Sequence, residues 1–148
     1  MAKVALSELE SLAQRFVASL PQRGGAGVIA LYGDLGAGKT AFVKAAAKAL
    51  GIGETVTSPT FVIEKIYALE HQAFTRLVHI DAYRLESAEE LRVLGFETLR
   101  AHPNNLIFIE WADRVEELLP QDTTRIHFSV LDETVREITI EYGSEAKK

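Results

Sequence analysis

The chain has 148 residues, 47% hydrophobic and 25% charged, with a formal net charge of −5. That length supports one domain, residues 1–148, around a real core, and the absence of cysteine excludes a disulfide framework and thiolate metal sites. The acidic balance disfavours an unaided grip on DNA or RNA, and no apolar stretch is long enough to span a bilayer.

Lys3 is followed by Glu8 and Glu10 rather than by an apolar run, so no signal peptide is visible and the cytoplasm is the expected location. Ser7-Glu8-Leu9-Glu10 has the S-x-x-E form of a capping box and predicts a helix from Ser7 to Leu20. Leu9, Leu12, Phe16, Val17 and Leu20 supply its apolar face. Pro21 and the glycines from Gly24 to Gly27 end it, so residues 1–27 read as an N-terminal helix and turn.

Val28 to Tyr32 is a short apolar run, the pattern of a buried strand. Gly33-Asp34-Leu35-Gly36-Ala37-Gly38-Lys39-Thr40 follows and fits G-x-x-x-x-G-K-S/T. Glycines let such a backbone wrap with its N–H groups facing an anion. Lys39 adds a charge for the β- and γ-phosphates, and the Thr40 hydroxyl is a candidate Mg²⁺ ligand. Ala41 to Leu50 reads as an alanine-rich helix stopped by Gly51. Strand, loop and helix thus come in the order that sets a phosphate on a helix N-terminus.

Thr57, Ser58 and Thr60 surround Pro59, which suits a loop sensing a γ-phosphate, although hydroxyl-rich turns before strands are common. Phe61 to Tyr67 and Arg76 to Ile80 read as strands whose link is too short for a crossover helix, so they should pair antiparallel. Ser87-Ala88-Glu89-Glu90 is a second capping box, starting a helix with Leu91 and Leu94 inward. Gly95 breaks that helix, and Phe96 to Arg100 forms a further short turn. Leu106 to Ile109 is a strongly apolar strand, Ala112 to Leu119 a helix, and Arg125–Val130 with Val135–Tyr142 a hairpin around Asp132-Glu133. Residues 143–148 read as a frayed tail. The sum is an α/β, three-layer P-loop NTPase fold, its mixed sheet having a parallel core and antiparallel flanking strands.

Two apolar strands end in an acid, at Asp81 and Glu110. A nucleotide enzyme of this type needs a carboxylate near its metal, presented from a neighbouring strand end. Glu110 is the stronger metal-side candidate, and Asp81 either joins it or positions water. The lesser alternative for each is an acid where a strand meets solvent, and it weighs more on Asp81 than on Glu110. His79 alternates with Asp81 on one strand face and could orient it or simply pack. Trp111 could stack on a base or a partner or belong to the core, and Arg84 and Arg136 could reach phosphates or form surface ion pairs. The histidines at 71, 79, 102 and 127 lack close metal-ligand spacing, and no N-K-x-D string marks guanine, which favours adenine.

G-D-L-G-A-G-K-T at 33–40, S-P-T at 58–60, H-x-D-x-Y-R at 79–84 and E-W at 110–111 together closely resemble the TsaE (YjeE) family. The resemblance covers nearly the whole chain. It implies a small cytoplasmic Mg²⁺-dependent ATPase of tRNA threonylcarbamoyladenosine biosynthesis. Such a protein works with TsaD-like and TsaB-like partners and meets tRNA only through them, with no membrane or DNA involved. On that resemblance Gly33 to Thr40 hold ATP, with Lys39 the phosphate-binding lysine. Thr40, Glu110 and Asp81 stand on the metal side, and Asp81, Glu110 and Lys39 serve hydrolysis. Thr60 and Arg136 are further nucleotide contacts, whereas Leu9 stands where many relatives carry a threonine. Two other functions fit a bare P-loop. One is a small-molecule kinase using Asp81 and Arg84, for which no arginine-rich lid is evident. The other is a nucleotide-gated binding module that needs no hydrolysis.

Overall fold

The computed structural model describes residues 2–20, 25–34, 37–52, 64–69 and 74–143. In chain order the elements are β1 (Ala2–Ala5), a 3-10 turn (Leu6–Glu8), α1 (Leu9–Ala18), β2 (Gly27–Tyr32), α2 (Lys39–Ala49), β3 (Glu64–Ala68) and β4 (Arg76–Asp81). Then come α3 (Ala88–Val93), α4 (Phe96–Ala101), β5 (Asn105–Glu110), a 3-10 helix (Ala112–Leu118), β6 (Thr124–Val130) and β7 (Val135–Glu141).

The strands form one seven-stranded sheet in the order β1-β7-β6-β2-β5-β4-β3. The pairings β6–β2, β2–β5 and β5–β4 are parallel, while β7–β6, β1–β7 and β3–β4 are antiparallel. This is the mixed sheet with parallel core and antiparallel flanks that the apolar runs predict. β5 is buried at every position, as a central strand covered on both faces must be.

Strand alternation sends side chains to two separate cores. Ile29, Leu31, Leu106 and Phe108 pack with Phe16 of α1 and with Phe42, Val43 and Ala46 of α2. Val28, Ala30, Ile107 and Ile109 face the other way, toward Leu85, Leu91, Phe96, Ala112 and Val115. Two covered faces make the three layers.

The structure corrects four local expectations. Ser7 does not cap α1. That helix starts at Leu9, after β1 and the 3-10 turn, and the Ala5 N–H donates to the Glu8 carboxylate at 2.9 Å instead. Pairing of β1 with β7 sets where the chain must turn, a non-local cause that the S-x-x-E string cannot report. Leu94 points outward at 49% exposure, because α3 ends at Val93, Gly95 enters the left-handed region (φ 95°), and Phe96 fills the core instead. The segment after Trp111 is 3-10 rather than α, interrupted at Val115, whose φ of −130° is not helical. Asn105, one residue ahead of the strand expected from Leu106, is the buried first residue of β5.

Other local readings hold where the residues are described, while Pro21, Gly24 and residues 61–63 of the expected strand lie outside the described residues. Ser87 and Glu90 form their capping box, α4 follows Gly95, β3 pairs antiparallel with β4, and β6 and β7 form the hairpin. Residues 144–148 of the expected tail lie outside the described residues. Among the described residues no helix is long and apolar enough to cross a membrane.

Candidate functional site

The site gathers at the carboxyl ends of β2, β5 and β4, where ligands meet open parallel sheets. β2 ends at Tyr32 and runs directly into Gly33. Gly33 has φ 144°, and a Cβ added there would stand 2.7 Å from the Phe128 carbonyl oxygen of β6. Backbone conformation and lack of space both demand glycine. Gly33→Ala is expected to lower unfolding stability by about 1–3 kcal/mol, measured by denaturant melts. Ala37 N–H closes a turn on the Asp34 carbonyl at 3.0 Å. Gly38 (φ 110°) then turns the chain into α2. The free N–H groups at the start of α2 and the positive end of its dipole thus face the loop. Leu35, Gly36, Thr57, Ser58 and Thr60 lie outside the described residues.

Lys39 opens α2 and is only 4% exposed. Its ammonium donates to the Gly33 carbonyl and lies 3.5 Å from that of Asp34. It also sits 3.8 Å from the centre of the Trp111 ring, a cation–π distance. Burial pulls the Lys39 ammonium below its ordinary pKa, opposed by Glu110 and then by Asp113, Asp34 and Asp81. That set adds Asp113 and Asp34 to the acids around the lysine. Nothing in the spacing of Asp113 flags it in the sequence, because the 3-10 helix after Trp111 is what turns it toward Lys39.

Thr40 stands one residue on, and its hydroxyl donates to Glu110 Oε1 at 2.8 Å. The other oxygen of Glu110 lies 2.6 Å from His79 Nε2. Glu110 is 3% exposed and His79 fully buried. In the β4–β5 register His79 pairs with Phe108 and Asp81 with Glu110, so these side chains share the face covered by α2. His79 therefore addresses Glu110, not Asp81 as the strand alternation suggests. Asp81 accepts the Tyr83 N–H at 3.0 Å.

Trp111 is half-buried rather than a core residue, and it is the one non-glycine with positive φ (57°) among the described residues. That conformation costs about 1–2 kcal/mol. It turns the ring from the end of β5 toward Lys39, with Tyr83 packed 5.0 Å from it. The 3-10 helix is braced against β2 and β6. Tyr32 Oη donates to Glu116 at 2.5 Å, Arg125 donates twice to Glu116, and the Tyr32 ring stacks on His127. Burial and then the Glu116 carboxylate push the Tyr32 phenol upward, keeping it a donor.

Arg136 lies on β7, two strands from β2, and donates to the Asp132 carbonyl in the β6–β7 turn at 2.8 Å. Arg84 is exposed. The structure thus brings Lys39, Thr40, Asp81 and Glu110 together and sets Arg136 with a different turn. Between α1 and α2, a cavity of about 300 Å³ is lined by Leu9, Glu10, Ala41, Lys44, Ala45 and Lys48.

A family model described as "Threonylcarbamoyl adenosine biosynthesis protein TsaE" matches residues 4–138. Proteins named tRNA threonylcarbamoyladenosine biosynthesis protein TsaE are similar over much of the chain. That of Treponema pallidum is 42% identical over 113 residues, 76% of this chain and 80% of its own. The Rickettsia bellii protein is 37% identical over 138 residues, 91% and 90% of the two chains. The crystal structure of YdiB from Bacillus subtilis superposes with a TM-score of 0.75 at 31% identity, covering 98% of this chain and 87% of that one.

Proposed function

The chain belongs to the TsaE family, the proteins of tRNA threonylcarbamoyladenosine biosynthesis, and from that premise we propose that it is a Mg²⁺-dependent ATPase. It would act with TsaD-like and TsaB-like threonylcarbamoyl-transfer partners, reaching tRNA through them, in keeping with a net charge of −5. The observation that carries the reading is the Thr40 hydroxyl hydrogen-bonded to Glu110 at the N-terminus of α2, beside the Lys39 ammonium.

The donor set fits magnesium. Among the described residues no three His, Asp or Glu side chains gather as a metal site. A cation here would take the Thr40 and Glu110 oxygens and otherwise water and phosphate oxygens, which suits Mg²⁺. When bound, such an ion would supply neutralisation of the phosphate charge. The chain supplies the rest. Loop amides and the start of α2 receive the phosphates. Lys39 exchanges the Gly33 carbonyl for phosphate oxygens. Asp81, paired in register with Glu110, orients the attacking water and accepts its proton. The cavity beside Ala41 offers the purine an apolar floor of alanines and Leu9.

Purified protein is expected to bind ATP with Mg²⁺, to release phosphate slowly, and to do so faster with TsaD-like and TsaB-like proteins added. Phosphate-release assays with and without those partners check it. Absence of any partner effect on binding or turnover would remove the proposed partnership, and absence of ATP binding the whole reading.

A further inference from the structure

His79 belongs to no part of the reaction proposed above, yet it is fully buried at the centre of the site. Its Nε2 lies 2.6 Å from Glu110 Oε2, while Nδ1 is buried without a hydrogen-bond partner among the described residues. A proton on Nδ1 would be stranded, at about 1–3 kcal/mol for a buried unsatisfied donor. The ring N–H therefore sits on Nε2 and donates to the carboxylate.

The two oxygens of Glu110 are then divided between two donors. Oε2 receives His79, and Oε1 receives the Thr40 hydroxyl. A glutamate has several rotatable bonds, and holding one oxygen from behind fixes where the other points. We propose that His79 is a positioning residue whose Nε2–H clamps Glu110 Oε2, so that Oε1 stays directed at Thr40 and at the cation the two would share. This rests on the Mg²⁺–nucleotide reading. The strand register enforces the clamp, because His79 and Glu110 lie on one face of adjacent parallel strands. A histidine that only filled space would need no contact of this length, and leucine would replace it.

The test is calorimetry of a non-hydrolysable ATP analogue, with Mn²⁺, with Mg²⁺ and with chelator, on wild type, H79L, H79N and H79Q. H79L removes the donor. H79N carries an amide too short to reach Oε2, whereas the H79Q amide has the reach of Nε2. H79L and H79N are expected to weaken metal-dependent analogue binding about 10- to 100-fold, the usual effect of losing a group that orients a metal ligand. H79Q should recover most of it. In an E110A background H79L should add no more than about a twofold loss, since the two changes would then act through one group. Wild-type metal dependence in H79L, an equal loss with chelator present, an undiminished loss in the E110A background, or no recovery in H79Q each overturns the proposal. So does unfolding of both H79L and H79N in thermal melts, which would make His79 a core residue alone. Failure of the wild-type protein to bind the metal–analogue complex would instead overturn the nucleotide reading on which the proposal stands.

Discussion

Lys39→Ala is expected to weaken ATP binding by roughly 30- to 4,000-fold, the equivalent of about 2–5 kcal/mol for truncating one partner of a buried charge pair. The lysine is 4% exposed, so its interaction with phosphate is poorly screened by water. The same burial pulls its ammonium pKa down. A lysine whose folded pKa lies below its unfolded one binds fewer protons when folded. The charged form therefore works against folding at neutral pH, and that effect fades as pH rises through the two pKa values. Alanine at 39 should consequently keep the fold, with no loss of thermal stability at neutral pH traceable to the missing charge. Calorimetry with ATP and a thermal melt check both halves. Wild-type affinity in Lys39→Ala would show that the loop does not hold phosphate.

Glu110→Gln is expected to reduce ATP hydrolysis about 10²- to 10³-fold, corresponding to several kcal/mol of lost metal-assisted charge stabilisation. It should also abolish the Mg²⁺-dependent gain in nucleotide affinity while leaving metal-free binding within a few fold of wild type. The substitution keeps shape and changes chemistry. The glutamate oxygens accept from Thr40 and lie against His79 Nε2. Glutamine can still offer its oxygen to His79, but its NH₂ then donates to Thr40 Oγ1. The Thr40 hydroxyl is thereby engaged as an acceptor and lost as a metal ligand, and the carboxylate charge goes as well. Phosphate release and analogue titrations with and without Mg²⁺ separate these effects. Undiminished turnover in Glu110→Gln would remove Glu110 from the metal side.

Much of this site was legible one residue after another. Gly33 to Thr40 announce a loop between a strand and a helix, and the described residues there adopt it. Leu106 to Ile109 announce a buried strand with an acid at its end, and Glu110 ends β5. Other features were not legible, for identifiable reasons. β1 exists because β7 is there to pair with it, and α1 accordingly starts two residues after Ser7. Leu94 sits at helical spacing from Leu91, yet α3 stops before the spacing counts. Trp111 adopts a left-handed backbone that no tryptophan prefers, held by packing against Tyr83 and Lys39.

The sequence by itself determined the strand–loop–helix cradle, the two-sided burial of the sheet and which strand ends carry acids. Each of these follows from backbone preferences and apolar alternation within a few neighbouring residues. Only the tertiary structure decided that Glu110 meets a hydroxyl 70 positions away, and that His79 serves Glu110 rather than Asp81. Both depend on the register between parallel strands. Register is fixed by the packing of whole layers, and no short stretch of chain contains it.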